Sequence, residues 1–259
     1  GAGAASNYDC TSLYSPNPHD PWVNLGTGGR TGARTQIQSH TKSLYALDTI
    51  EFNKSWQTGL GIRVDDYSTK YENGTTSIRR NDTLVNYQAG LVYKPAENGS
   101  IYVSYSTSST PANSTLGEGN EDQSLIPGRG GVGTNAADMA PEKSKTYEIG
   151  TKWDLFDDSL SFTAALFRTE TTNARVTLAN GDYAMAGKKR VDGLELGISG
   201  EITPNWQVYG GYTYLHSELK NNGSGAASAN DGNQFPNTPR NSFSLWTTYR
   251  PIPKLTLGG

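Results

Sequence analysis

The sequence predicts an all-β chain with about ten strands, which form part of an antiparallel transmembrane β-barrel. Three observations support this prediction. Apolar residues recur at every second position in many segments, as they do on one face of a strand. Short and long connections alternate along the chain, and an aromatic residue accompanies each short connection.

The composition excludes several other classes of protein. The 259 residues carry a net charge of −3, 34% are hydrophobic, and the mean hydropathy is −0.62. No apolar run approaches the roughly 18 residues that a spanning helix needs. The near-neutral charge argues against nucleic-acid binding, and a single cysteine, Cys10, excludes an internal disulfide framework. Low hydrophobicity is compatible with a membrane barrel, because only every second strand residue faces lipid.

The strands follow from the alternation of apolar and polar residues. The stretch 35–52 is ambiguous because Asp48 interrupts it, and a last strand begins near Lys254. In 158–167, Leu160, Phe162, Ala164 and Leu166 share one face. No segment keeps the spacing of an amphipathic helix. The other predicted strands lie within 56–66, 84–94, 100–106, 146–153, 158–167, 190–200, 206–215 and 241–250.

The connections predict which rim of the barrel each loop leaves. Short turns are predicted at Phe52–Ser55, Pro95–Gly99, Leu155–Ser159, Thr203–Asn205 and Pro251–Pro253. Long polar connections are predicted at roughly 67–83, 109–142, 171–188 and 216–239. Strict alternation places all long loops at one rim, as in outer-membrane barrels with short periplasmic turns and long external loops. Long external loops are typical of plugged barrels of about 22 strands, of which ten would be a little under half.

The aromatic residues beside the short turns are interpreted as the periplasmic girdle, where an amphipathic ring lies between acyl chains and headgroups. They are Trp56, Tyr93, Trp153, Trp206 and Tyr249. Chance placement is the alternative for any one of them, since soluble strands also end in aromatic residues.

Three stretches carry a resemblance to a known family. They are Ser144–Lys152 with Leu160–Phe167, then Val191–Leu196 with Gly200 and Tyr212–Tyr214, then Asn237–Asn241 with Leu245–Tyr249. Tyr45–Phe52 and Gly61–Asp65 add to them. In this order and spacing they resemble the barrel of TonB-dependent siderophore receptors, and the chain is most similar to receptors for ferric catecholates.

The resemblance implies a receptor in the outer membrane of a Gram-negative bacterium that binds and imports a ferric siderophore. We therefore expect no covalent chemistry and no cofactor, with the ferric siderophore as transported ligand. Expected partners are the TonB complex, which would act through a plug segment, together with outer-membrane lipid and lipopolysaccharide, but no nucleic acid. Residues 1–259 are expected to be part of the barrel domain, with 1–34 as an external loop, and the plug and the C-terminal strands to lie outside this sequence.

The resemblance also assigns roles to individual residues. Polar-face residues are expected to line the lumen and contact the plug, or to form a hydrated wall of compensating charges: Arg63, Gln88, Glu148, Lys152 and Glu195. In the external loops, Arg129, Arg175 and Tyr183 suit an anionic aromatic ligand through charge and stacking. The basic runs Arg79–Arg80 and Lys188–Arg190 are either binding sites for lipopolysaccharide phosphates or solvated charges.

Alternatives remain open at this point. A passive porin, a TonB-dependent receptor for a vitamin or oligosaccharide, and a soluble sugar-binding β-sandwich or solenoid are each compatible with part of the pattern. His216 beside Glu218 is the only candidate for a hydrolase. Cys10 is either paired outside this sequence or a free thiol, and His19, His40 and His216 lack metal-ligand spacing.

Overall fold

The computed structural model describes residues 12, 14–17, 19, 35–73, 76–111, 140–177, 183–185, 188–220, 231–235 and 238–259. The strands within these ranges are β1 (Thr35–Glu51), β2 (Trp56–Asn73), β3 (Thr76–Ala96), β4 (Gly99–Thr110), β5 (Glu142–Leu155), β6 (Leu160–Thr172), β7 (Arg175–Thr177), β8 (Tyr183–Met185), β9 (Lys188–Thr203), β10 (Trp206–Lys220), β11 (Asn241–Ile252) and β12 (Leu255–Gly258). Among the described residues, no helix is long and apolar enough to cross a membrane.

Ten of these strands form one sheet in the order β1-β2-β3-β4-β5-β6-β9-β10-β11-β12. Every pair of neighbours is antiparallel, and β7 and β8 form a separate hairpin between β6 and β9. This up-and-down order needs only local connections, because each strand pairs with the next strand of the sheet along the chain. The predicted all-β fold and the predicted number of strands in the main sheet are confirmed.

The first three strands are longer than a bilayer requires. β1, β2 and β3 contain 17, 18 and 21 residues, whereas about 9–11 residues of a tilted strand cross the hydrocarbon core. Asp48 pairs with Leu60 within a continuous β1, so it does not interrupt the strand. The ambiguity of 35–52 is thereby resolved in favour of a strand.

The connections confirm most of the predicted pattern and correct one part of it. The short turns lie where the sequence predicts them, between β1 and β2, β3 and β4, β5 and β6, β9 and β10, and β11 and β12. The long connection predicted at 67–83 is wrong. β2 continues to Asn73, β3 begins at Thr76, and their register pairs Tyr67 with Asp82.

The reason for the error is the polarity of this part of the hairpin. From Asp66 to Ser68 and from Asn81 to Thr83, polar residues dominate both faces, so no period of two marks the strand. Backbone pairing continues there without an apolar face. The other three long connections begin and end within a few residues of their predicted limits, although the hairpin of β7 and β8 was not expected.

Candidate functional site

One face of the sheet carries an unbroken apolar row that crosses six strands. The register joins Leu91, Val103, Ile149, Leu166, Leu194 and Tyr214 in that order. Ile149 and Leu166 are 50% and 57% exposed. A continuous apolar patch of this size belongs against another apolar phase rather than against water. We call this side of the sheet the apolar face and the other side the polar face.

The five residues predicted to line the lumen all lie on the polar face. They are Arg63, Gln88, Glu148, Lys152 and Glu195, as the registers of β2 to β9 require. The structure links Glu148 and Lys152 through one aromatic ring. No hydrogen bond or ion pair joins Arg63, Gln88 and Glu195 to one another within the described ranges. Their contact with a plug stays a prediction.

The aromatic ring between Glu148 and Lys152 belongs to Tyr102, which the sequence analysis did not single out as a site residue. The Tyr102 hydroxyl donates a hydrogen bond to Glu148 Oε1 at 2.6 Å. Lys152 Nζ lies 5.7 Å from the centroid of the same ring. The hydroxyl of Tyr102 thus donates a hydrogen bond to a carboxylate, while the negative face of its ring attracts an ammonium group.

Two aromatic rings on the polar face rest on glycines of the neighbouring strand. Tyr102 pairs with Gly150, and Phe167 pairs with Gly193. A Cβ added at either glycine would overlap the ring that lies on it. Only glycine permits this close approach, so the glycines hold the rings flat against the sheet.

Carboxylates of β2 and β3 on the polar face are neutralised locally. Arg63 Nε donates to Asp65 Oδ1 at 2.9 Å, and Ser43 Oγ donates to the same oxygen at 2.5 Å. Asp65 is only 8% exposed, so these bonds compensate its desolvation. Arg80 and Asp82 form a second ion pair at 2.7 Å, and both side chains are nearly buried.

The side chains of the three predicted ligand residues lie outside the described part of the structure. Arg129 lies outside the described residues. The backbones of Arg175 and Tyr183 belong to the β7–β8 hairpin, in which Thr177 pairs with Tyr183, but their side chains lie outside the described part. All three remain predictions.

A described segment, residues 231–235, folds back onto β10. Leu219 N–H donates to the Asn233 carbonyl at 3.0 Å, and Gly232 N–H donates to the Leu219 carbonyl at 2.9 Å. Phe235 N–H donates to Ser217 Oγ at 3.2 Å. Lys189 Nζ lies 5.9 Å from the centroid of the Phe235 ring. Sequence spacing could not have placed Phe235 here, because the contact depends on the path of the connection after β10.

The alternation of β9 separates the basic run 188–190. Lys189 lies on the polar face with Glu195, whereas Lys188 and Arg190 lie on the other side of the sheet. Arg79 and Arg80 are separated in the same way, with Arg80 on the polar face beside Asp82.

An ion cluster lies beyond the apolar row, on the same side of the sheet. Arg168 Nε and Arg190 Nε donate to the two carboxylate oxygens of Asp192, at 2.6 and 2.8 Å. Two guanidinium groups share this one carboxylate, and Glu170 and Glu218 lie in register with Arg190 on either side of it. The sequence signal for it was the alternation itself, since Arg168 follows Leu166 and Asp192 precedes Leu194 on one face.

The five aromatic residues beside the short turns all lie on the apolar face. Trp56 and Tyr93 pair across β2 and β3 with ring centroids 4.6 Å apart. Trp206 pairs with Tyr249, and its Nε1 donates to Thr247 Oγ1 at 2.8 Å. Trp153 Nε1 donates to Thr151 Oγ1 at 2.6 Å. Indole rings with satisfied N–H groups suit a membrane interface, and their role as a girdle stays a prediction.

Metal and hydrolase chemistry receive no positive support from the described residues. No group of three or more potential His, Cys, Asp or Glu ligands occurs among them. Glu218 pairs with Lys220 at 3.4 Å, and no hydrogen bond to His216 is found there. Cys10 lies outside the described residues.

Comparison with known proteins identifies relatives along almost the whole chain. A family model described as "TonB dependent receptor-like, beta-barrel" matches residues 2–259. The probable TonB-dependent siderophore receptor PiuA of Acinetobacter baumannii is 40% identical over 96% of this chain and 34% of its own length. The catecholate siderophore receptor Fiu of Escherichia coli O157:H7 is 34% identical over 98% of this chain and 36% of its own length.

Solved structures agree with the fold. The crystal structure of the siderophore receptor PiuA from A. baumannii superimposes with a TM-score of 0.76 and 40% identity, over 86% of this chain and 33% of that one. The closed form of the ferric-catecholate import receptor Fiu from E. coli K12 also gives 0.76, at 32% identity, over 96% of this chain and 37% of that one. The chain therefore spans about a third of the length of the relatives it matches.

Proposed function

The chain belongs to the TonB-dependent receptor-like β-barrel family, and from this premise we propose that the protein containing it binds a ferric siderophore and imports it across the outer membrane of a Gram-negative bacterium. The chain supplies part of the barrel wall. Energy for import comes from the TonB complex through a plug segment, and no bond of the ligand is made or broken by the receptor.

The single observation that carries the proposal is the difference between the two faces of the sheet. The row from Leu91 to Tyr214 is apolar and five of its six side chains are exposed, which suits lipid, while the opposite face carries Glu148, Lys152 and Glu195. Placing such charges against lipid would cost about 2–4 kcal/mol each for the basic ones near the midplane. The polar face therefore lines the lumen.

The siderophore class rests on the relatives and on the chemistry of the polar face. The relative from E. coli is described as a catecholate siderophore receptor. Ferric catecholates are anionic and aromatic, and the polar face presents ammonium groups against aromatic rings at Lys152 and Lys189. Such surfaces bind aromatic anions by charge and by stacking.

Lipopolysaccharide is a further proposed partner, on the lipid side of the barrel. Arg168 and Arg190 share Asp192 just beyond the apolar row, where headgroup phosphates would lie. Lys143 and Lys145 lie on the same side of the sheet, in register with Thr172 and Glu170. With Arg168 and Arg190, they give four basic groups against the three carboxylates of Asp192, Glu170 and Glu218. A net positive surface at this height suits phosphate through charge-assisted hydrogen bonds.

The proposed function is tested on the full-length protein in detergent. A ferric tricatecholate is titrated against tryptophan fluorescence, with a ferric hydroxamate as control. Saturable quenching at submicromolar concentration by the catecholate alone supports the proposal. Quenching by neither complex contradicts the siderophore function, and quenching by the hydroxamate alone contradicts the catecholate class.

Transport needs a separate measurement. Uptake of radiolabelled iron is compared in cells that express the full-length protein with and without a functional TonB. Uptake that disappears without TonB supports energised import, whereas uptake that persists without TonB indicates a passive pore instead.

A further inference from the structure

Lys189 lies near the end of the sheet at which several described basic groups form ion pairs, whereas Lys143, Lys145 and Lys188, on the other side of the sheet there, form none among the described residues. Arg168 and Arg190 are bound to Asp192, Arg80 to Asp82, and Lys220 to Glu218. Within the described part of the chain, the Lys189 ammonium instead contacts the Phe235 ring and forms no ion pair. On the polar face, the positive charge of Lys189 is thus not neutralised by any described carboxylate.

The position of this charge follows from the register. Lys189 pairs with Thr171 on β6 and with Leu219 on β10, six residues from Glu195 along one face of β9. β9 begins at Lys188, directly after the long connection that follows β6. Lys189 therefore lies on the lumen side of the barrel, at the rim from which the long loops leave.

Phe235 is held in place by its own segment rather than by chance packing. Its N–H is bound to Ser217 Oγ, and Ser217 is only 3% exposed. The backbone bonds between Leu219 and residues Gly232 and Asn233 fix the segment against β10. Because the ring is positioned before any ligand arrives, little conformational entropy is lost when a ligand contacts it.

We propose that Lys189 and Phe235 form a binding site for the anionic aromatic ligand at the outer end of the lumen, a ferric tricatecholate. The ammonium pairs with a catecholate oxygen, and the Phe235 ring packs against a catechol ring. A catecholate brings more negative charge to Fe(III) than a hydroxamate does, so the site favours tricatecholates over hydroxamates. This inference rests on the proposed function, of which it names a ligand contact.

Lys188 provides a matched control, because it is the next residue along β9 and lies on the opposite face. Lys189→Gln and Lys188→Gln remove the same charge from the full-length protein, and Phe235→Leu removes the ring. The dissociation constant for a ferric tricatecholate is measured by tryptophan quenching. Each variant is first checked for the heat-dependent mobility shift of a folded barrel.

We expect Lys189→Gln and Phe235→Leu each to raise the dissociation constant about tenfold, Lys188→Gln to change it less than twofold, and Lys189→Arg to retain affinity. We also expect the wild-type affinity to fall with added salt more steeply than that of Lys189→Gln, because one screened charge contact is lost. A second measurement with a ferric hydroxamate should show no saturable quenching in the wild-type protein or in any variant.

The two proposals fail in different ways. If the wild-type protein binds the tricatecholate and both Lys189→Gln and Phe235→Leu bind it equally well, the site is overturned while the receptor function stands. Equal weakening by Lys188→Gln also overturns it, because net charge alone would then explain the effect. If the wild-type protein binds no ferric siderophore, the receptor function is overturned and the site with it.

Discussion

Gly193 illustrates, at the scale of one residue, how closely rings pack on the polar face. An alanine there would place a Cβ within the ring of Phe167. We expect Gly193→Ala to lower the free energy of unfolding by about 1–3 kcal/mol, since overpacking forces the ring or the strand to move. Denaturant titration of the full-length protein in detergent measures the loss.

Gly59 is the matched control for this substitution. It lies on the polar face, where an added Cβ would meet no atom within 4 Å, so Gly59→Ala should not destabilise the protein. Gly193→Ala should also cost less stability in a Phe167→Leu background, because leucine lacks the ring atoms that the added Cβ would meet. Equal stability of the two alanine variants would contradict the close packing.

Tyr102 gives a second prediction at this scale, because its hydroxyl is bound to a charged group. Tyr102→Phe removes the donor to Glu148 and should cost about 1.5–3 kcal/mol. Tyr212→Phe removes a neutral hydrogen bond, from the Tyr212 hydroxyl to Asn241 Oδ1 at 2.8 Å, and should cost about 0.5–1.5 kcal/mol. Unfolding titrations compare the two losses, and a larger loss for Tyr212→Phe would contradict the charge-assisted bond.

At the scale of the element, alternate side chains of β6 face two different environments, lipid on one side of the sheet and water on the other. Leu166→Arg places a charge on the apolar face and should cost about 2–4 kcal/mol in a bilayer. Thr163→Arg changes an exposed residue of the same strand on the polar face, and should cost little. Unfolding of the two variants in liposomes measures the difference between their free energies of unfolding. Equal free energies would contradict the assignment of the two faces to lipid and water.

The hairpin of β2 and β3 supports a further prediction, because the register pairs Ser68 with Asn81. In a Cys10→Ser background, Ser68→Cys with Asn81→Cys should form a disulfide on mild oxidation, since cross-strand partners have suitable Cα separations. Thr69→Cys with Asn81→Cys places the sulfurs on opposite faces and should not. Mass spectrometry after digestion distinguishes the two, and equal cross-linking would indicate a loop rather than paired strands.

The limits of sequence prediction have the same physical origin as these strands. Alternation predicted β5 and β6 well because lipid on one side demands an apolar residue at every second position. It failed at 67–83, where both sides of the hairpin are polar and only backbone pairing defines the strands. Alternation also placed Glu148 and Lys152 on the polar face, but it could not show that Tyr102 joins them, because Tyr102 lies on the neighbouring strand and the contact depends on the register between the two strands.

The contact of Lys189 with Phe235 was beyond sequence reasoning for a different reason. The two residues are separated by β10 and by part of a long connection, and such a connection has no periodicity from which its path could be predicted. In the sequence, residues 188–190 form one basic cluster, whereas in the strand their side chains are divided between the two faces.

At the scale of the whole molecule, this division predicts two independent binding surfaces on opposite sides of one wall. Arg168 and Arg190 point to the lipid side, and Lys189 to the lumen. We expect the double variant Arg168→Gln, Arg190→Gln to co-purify with less lipopolysaccharide, because the phosphate-binding charges are lost. Lys189→Gln should co-purify with the wild-type amount, and the assay is lipid phosphate per mole of purified full-length protein.

The same variants should behave in the opposite way toward the ligand. The double variant should keep the wild-type affinity for a ferric tricatecholate, while Lys189→Gln loses about tenfold. In the double variant, Asp192 loses both of its guanidinium partners. A triple variant that also carries Asp192→Asn therefore shows whether phosphate binding falls because the arginines are lost or because a negative charge is left uncompensated. If lipopolysaccharide binding and siderophore binding changed together in every variant, the result would contradict two separate surfaces and would indicate a shared effect on folding.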